Sequence, residues 1–148
     1  MAKTPTIRAL LAKAHLAWKR HFQDRLAPHD ITLKQAYLLQ KLADADYLYP
    51  SRIAELLFCD RPTVSVVVAN MEEQGWVQRR RDPDDARRTR VSITGEGREK
   101  YRSIAGALEE GEGPGFDPLA CFDNGEIDAL EGLLRRLHDH LQEIDEAR

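Results

Sequence analysis

Apolar positions recur at helical spacing almost from the start of the chain. Ile7, Leu11, Ala14, Trp18 and Phe22 share one face of a helix expected between Ile7 and Leu26, and Pro28 ends the run. Thr32-x-x-Gln35 has the form of a capping box, in which the hydroxyl and the amide satisfy orphan backbone donors. Ala36, Leu39, Leu42 and Ala43 follow as the apolar stripe of a second helix. Tyr47-Leu48-Tyr49-Pro50 interrupts it, with Leu48 suited to a short strand. Ser51 is the expected cap of a brief third helix whose inner face is Ile53, Leu56 and Leu57. Asp60 is the expected cap of a fourth, running to about Gln74. Pro62 falls in its first turn, where no backbone N–H is missed, and Gly75 is placed to stop it in the left-handed conformation.

The period then changes. Val77, Val91 and Ile93 alternate with polar neighbours, as in two half-buried strands joined through the turn Asp82-Pro83-Asp84-Asp85. Six arginines stud this hairpin: Arg79, Arg80, Arg81, Arg87, Arg88 and Arg90. Thr94 caps an expected fifth helix that begins around Gly95. Residues 111–118, Gly-Glu-Gly-Pro-Gly-Phe-Asp-Pro, cannot lie inside a helix. Asp123-x-x-Glu126 reads as a second capping box. The helix behind it carries Ile127, Leu130, Leu134, Leu137, Leu141 and Ile144 in a seven-residue repeat. Such a stripe serves as a core face or as a seam between subunits. A small helical module offers little surface to cover one so long, which favours a homodimer.

Composition narrows the class. With 148 residues, 42% hydrophobic and 32% charged, the chain fits one soluble globular domain. No apolar run approaches the roughly 20 residues of a membrane span, and the N-terminus lacks a signal-peptide stretch, so no membrane partner and a cytoplasmic location are expected. Cys59 and Cys121 are too few for a disulfide framework. His138 and His140, two apart on a helix, do not face each other. There is no phosphate loop, nucleophile elbow or zinc spacing. The expectation is no enzyme, no catalytic residue, no cofactor and no metal.

Net charge is −3, but its distribution matters more than its sum. Residues 76–106 carry 9 basic and 5 acidic side chains, whereas residues 107–148 carry 3 basic and 12 acidic ones. Helices followed by a basic hairpin form the order of a winged helix-turn-helix, a mainly α fold with a small β-hairpin wing. Its fourth helix is able to enter a major groove while wing arginines meet phosphates or a minor groove.

Three stretches carry a resemblance to a known family. They are Arg52-Ile53-Ala54-Glu55-Leu56-Leu57, Asp60-Arg61-Pro62-Thr63-Val64-Ser65 and Met71-Glu72-Glu73-Gln74-Gly75-Trp76-Val77. The most specific part runs from Asp82-Pro83-Asp84-Asp85-Ala86-Arg87-Arg88 through Thr94-Gly95-Glu96-Gly97. In spacing and order these resemble the MarR family of bacterial transcriptional regulators. The resemblance implies a single MarR-like domain over 1–148, with a DNA-binding lobe at 32–97 and a helical dimerisation lobe at 1–31 and 98–148. It implies a triangular homodimer in which helices one, five and six interlock through the Ile127–Ile144 stripe. It implies double-stranded DNA with a pseudo-palindromic operator as partner, a nucleoid-associated location, and repression released by a small aromatic or phenolic effector.

Within that reading Asp85 orients Arg87 at the wing tip, with Arg88 as helper. The fourth helix departs from the family pattern, because Thr63-Val64-Ser65-Val66-Val67-Val68-Ala69-Asn70 holds no basic side chain. Its interior cannot offer guanine a bidentate cation. Weight therefore shifts to Arg61 and the wing, including Arg79. Thr63, Ser65 and Asn70 remain as hydrogen-bonding candidates, and Val66, where exposed, as a contact for thymine methyls. His15, Trp18 and Tyr37 are the candidate effector residues, with core packing as the alternative role. Two rival functions stand beside the regulator with a small effector: a thiol-based redox-sensing regulator using Cys59, and a winged helix that contacts only protein.

Overall fold

The computed structural model describes residues 3–108 and 118–148, so the breaker-rich stretch expected at 111–118 lies, but for Pro118, outside the described residues. The chain divides into two compact units, Met1–Glu109 and Glu110–Arg148.

The first unit begins with α1 (Lys3–Leu26), which a short 3-10 turn (Ala27–His29) follows. Helix α1 starts at Lys3, ahead of the Ile7 expected, and its apolar face is covered only near one end. Ile7, Leu11, Ala14 and Trp18 are exposed, and only Phe22 and Leu26, near its C-terminal end, are buried. Helical spacing reports that a face is apolar, but not where its cover comes from. Helix α2 (Leu33–Ala43) starts at the expected capping box. Thr32 N donates to Gln35 Oε1 at 3.0 Å, and Gln35 N donates to Thr32 Oγ1 at 3.2 Å. Ala36, Leu38, Leu39 and Leu42 are its buried residues.

Helix α3 (Pro50–Leu57) corrects a second expectation. Its N-cap is Tyr49, with no side-chain cap bond, and Pro50 rather than Ser51 opens it. Proline's fixed φ and missing N–H suit the first helical position, which moves the start ahead of the serine. Phe58, at φ 50°, closes this helix in the left-handed region. In α4 (Arg61–Glu73), Asp60 Oδ1 accepts from Thr63 N at 2.8 Å, and Gly75 at φ +79° ends the segment as expected.

Strands β1 (Val77–Arg81) and β2 (Thr89–Ile93) pair antiparallel, with Val77 opposite Ile93 and Arg79 opposite Val91. Leu48 bridges to Val91 through two backbone hydrogen bonds of 2.8 and 2.9 Å, which is the short strand its neighbours suggested. The core joins Leu39, Leu42, Ile53, Val64, Val68, Met71, Val91 and Ile104. Thr94 then ties the hairpin's end to the start of α5 (Gly95–Leu108). Its hydroxyl donates to Gly75 O at 2.5 Å and accepts from Gly97 N at 3.0 Å.

In the second unit α6 (Asn124–Glu146) is capped by Asp123, whose carboxylate accepts from Glu126 N at 2.8 Å. None of its residues is buried. Ile127 and Leu130 are half-buried, while Leu134, Leu137, Leu141 and Ile144 are exposed.

Gly97 supplies a test of this packing. A Cβ there would lie 2.0 Å from Trp76 O, a backbone atom that no rotamer change moves. Gly97→Ala is expected to destabilise the fold by about 1–3 kcal/mol, the usual range for overpacking. Urea unfolding of the two proteins measures it, and equal midpoints would contradict the close approach.

Candidate nucleic-acid interface

Burial divides α4 lengthwise. Val64, Val68 and Met71 pack into the core, while Arg61, Ser65, Val66 and Asn70 are exposed and Thr63 is half-buried. Hydrogen bonds from Thr63, its side chain first and its backbone second, hold the Asp60 carboxyl below its ordinary range. The cap therefore stays ionised at the positive end of the helix dipole.

A groove of about 390 Å³ runs between α4 and the hairpin. Arg61 and Ser65 line its helix side, and Arg79, Arg80 and Arg81 line its strand side. Sequence patterns did not single out Arg80 and Arg81 for contact, and the structure brings both beside Arg61. Arg79 differs from its neighbours. Its Nη2 donates to Glu72 Oε1 at 2.9 Å and its backbone N to Glu72 Oε2 at 3.1 Å. The pair lowers the Glu72 carboxyl and raises the Arg79 guanidinium, first through their side-chain hydrogen bond. Arg79 thus clamps β1 to the end of α4. Among the described residues, Arg61, Arg80, Arg81 and Arg88 form no salt bridge.

At the wing tip Asp85 and Arg87 are paired. Asp85 Oδ1 accepts from both Arg87 N and Arg87 Nε at 3.1 Å, and the Arg87 side chain is 91% exposed. That bond is the first cause holding the Asp85 carboxyl below its ordinary range.

Sequence reasoning missed the carboxylate behind this tip. Asp82 is only 4% exposed. Its Oδ2 accepts from the Tyr49 hydroxyl and from Arg90 Nε at 2.9 Å, and its Oδ1 accepts from Asp84 N at 2.8 Å and Asp85 N at 3.1 Å. The Arg88 guanidinium lies 3.4 Å from the Tyr49 ring centroid, and that of Arg90 lies 4.0 Å from the Tyr47 centroid. A signal for this cluster was present. Leu48 bonds to β2 and is flanked by two tyrosines, which alternation turns to the opposite side.

The candidate effector residues all lie in the first unit. Phe22 sits between Trp18 at 5.3 Å and Tyr37 at 6.5 Å, centroid to centroid, and His15 is exposed one turn before Trp18. None of the three lines the arginine groove. Cys59 is half-buried and Cys121 exposed, both as free thiols. Among the described residues no cluster of three or more His, Cys, Asp or Glu is placed to hold a metal, and no helix is long and apolar enough to cross a membrane.

A capped helix-turn-helix followed by an arginine-bearing two-stranded wing defines a winged helix. Comparison with known proteins agrees with that class. A model of the MarR family matches residues 29–88. The HTH-type transcriptional regulator TtmR of Methylorubrum extorquens is 33% identical over 61% of this chain, though the match spans only 46% of TtmR. The uncharacterized HTH-type transcriptional regulator YdgJ of Bacillus subtilis is 30% identical over 78% of this chain and 68% of its own length. A crystal structure of a probable transcriptional regulator from Pseudomonas aeruginosa superposes with a TM-score of 0.74 at 28% identity, covering 88% of this chain and 96% of that one. The chain belongs to the MarR family.

Asp82 makes a pH-dependent prediction. The Tyr49 hydrogen bond first and the Arg90 hydrogen bond second hold its carboxyl far below the ordinary 3.8. A folded-state value below the unfolded one stabilises at neutral pH, and that contribution is lost as pH falls below about 3.8 towards the folded value. Asp82→Asn should therefore be less stable than the natural protein at pH 7, with the gap narrowing as urea unfolding is repeated towards pH 2. A gap independent of pH would contradict the charged cluster.

Proposed function

We propose that the protein is a sequence-specific, DNA-binding transcriptional regulator that acts in the cytoplasm as a homodimer on a pseudo-palindromic operator. The observation that carries this reading is the cationic groove between α4 and the wing. A negatively charged chain concentrates Arg61, Arg80 and Arg81 there without carboxylate partners and extends Arg87 beyond them. Double-stranded DNA matches this arrangement, since phosphates take arginine contacts while α4 lies in the major groove and the wing reaches the adjacent backbone or minor groove. A winged helix serving only protein contact has no need of so many unpaired guanidinium groups beside its recognition helix.

In this reading Arg80, Arg81, Arg87 and Arg88 meet the phosphates, and Arg61 takes a base edge beside the wing. Thr63, Ser65, Val66 and Asn70 face the bases, and Asp85 orients Arg87. Arg79 acts mainly through Glu72. Repression relieved by a small aromatic or phenolic effector completes the reading. The Trp18–Phe22–Tyr37 series supports it, because Trp18 and Tyr37 flank the buried Phe22 ring and remain open to stacking by a flat organic ring. A second copy covers the exposed stripe of α6, because leucines at Leu134, Leu137 and Leu141 in water are costly.

Two measurements follow. Arg87→Ala should weaken binding to every duplex and flatten the slope of log affinity against log salt by about one unit for each phosphate it ceases to neutralise. Its thermal stability should barely change, since the side chain is 91% exposed. Affinity within twofold of the natural protein would remove Arg87 from the interface. Leu134→Asp with Leu137→Asp should convert a dimer into monomers or unfolded chains by light scattering. A stable monomer of the natural protein at micromolar concentration would refute the seam.

A further inference from the structure

Val66 is the one large apolar side chain that α4 turns to solvent, and it is 61% exposed. Its position on the helix is determined by its neighbours. Val64, Val68 and Met71 define the buried side, and Arg61 with Ser65 face the arginine groove. At about 100° per residue, Val66 stands nearly opposite the buried side, and Asn70 lies about 40° further round, away from the wing. The crest of the helix is therefore a valine followed one turn later by an exposed carboxamide, and the basic groups are all to one flank. An exposed helix site otherwise favours Lys, Glu or Gln over a β-branched side chain.

Resting on the proposed DNA-binding function, we infer that this crest selects A·T pairs. Val66 packs on the C5-methyl of a thymine, and Asn70 makes its paired hydrogen bonds to the N6 and N7 of an adenine. Each base pair presents a distinct major-groove edge. The thymine methyl is its one apolar feature, adenine's donor and acceptor fit a carboxamide, and guanine's two acceptors call for a guanidinium or ammonium. The crest holds neither cation. Four residues of helix advance about 6 Å, against about 3.4 Å per base pair, so the two contacts fall about two base steps apart. Guanine contacts are left to Arg61 on the wing flank.

Selection of bound duplexes from a random pool by the natural protein supplies the half-site. Each thymine in it is then replaced in turn by deoxyuridine, which removes only the methyl group. At one thymine per half-site the replacement should weaken binding about fourfold, the worth of one buried methyl or methylene group. Val66→Ala should bind the parent duplex correspondingly less well and be indifferent to that replacement. Asn70→Ala, carried through the same selection, should lose its preference at an adenine about two steps away. Deoxyuridine replacements that all leave the natural protein's affinity unchanged would overturn the inference, and so would full sensitivity persisting in Val66→Ala. A recovered half-site of G·C pairs alone would overturn it while leaving DNA binding intact. A pool that yields no enriched sequence would overturn both readings.

Discussion

One buried carboxylate holds the wing to the rest of the winged helix. Removing Asp82 from water is unfavourable unless its oxygens are fully engaged, and here four donors engage them: a tyrosine hydroxyl, a guanidinium and two backbone N–H groups. The donors come from different places. Tyr49 is the N-cap of α3, Arg90 lies on β2, and Asp84 and Asp85 form the turn itself. Satisfying one charge therefore fixes the turn's conformation, its attachment to the strand behind it and its position against the helix-turn-helix. Asp85 and Arg87 inherit that placement. A two-stranded hairpin alone is marginal in water, and this cluster with the Leu48 bridge gives it a fixed base.

The same logic sorts the arginines. Composition and periodicity show six of them around one hairpin and treat them alike. In the folded chain Arg79 is bound to Glu72 and Arg90 to Asp82, so these two shape the wing, whereas Arg80, Arg81 and Arg88 keep their charge without a carboxylate partner. Arg61 joins them from the helix side. A polyanion meets a cationic surface that internal acids have not neutralised. For this reason a net charge of −3 is no obstacle, since screening confines each charge to a neighbourhood of roughly 8–10 Å.

Local rules made much of this legible. Thr32 with Gln35, Asp60 with Pro62, and Gly75 each mark a helix boundary through hydrogen bonds made within a few residues, and each stands where the sequence placed it. Leu48 could be assigned to a short strand from its neighbours alone, although its partner Val91 is distant in sequence. Ser51 could not be judged correctly, because Pro50 beside it is the better first residue of a helix. The Asp82 cluster joins residues 33 positions apart in sequence, beyond the reach of capping or turn patterns. Likewise the apolar face of α1 was visible as a pattern, while its exposure depends on what packs there. Partner choice among the arginines depends on side-chain placement, which no spacing rule encodes.

The unpaired guanidinium groups flanking α4 and the wing form, on this account, a phosphate-binding surface. The most direct measurement is the affinity of the natural protein for a duplex titrated with monovalent salt. Each phosphate neutralised contributes about −0.9 to the slope of log affinity against log salt concentration. Four such contacts in each subunit of a dimer give a slope approaching about −7. A slope steeper than about −4 is the result expected here, and binding that is flat across the titration, or absent at low salt, would contradict the account.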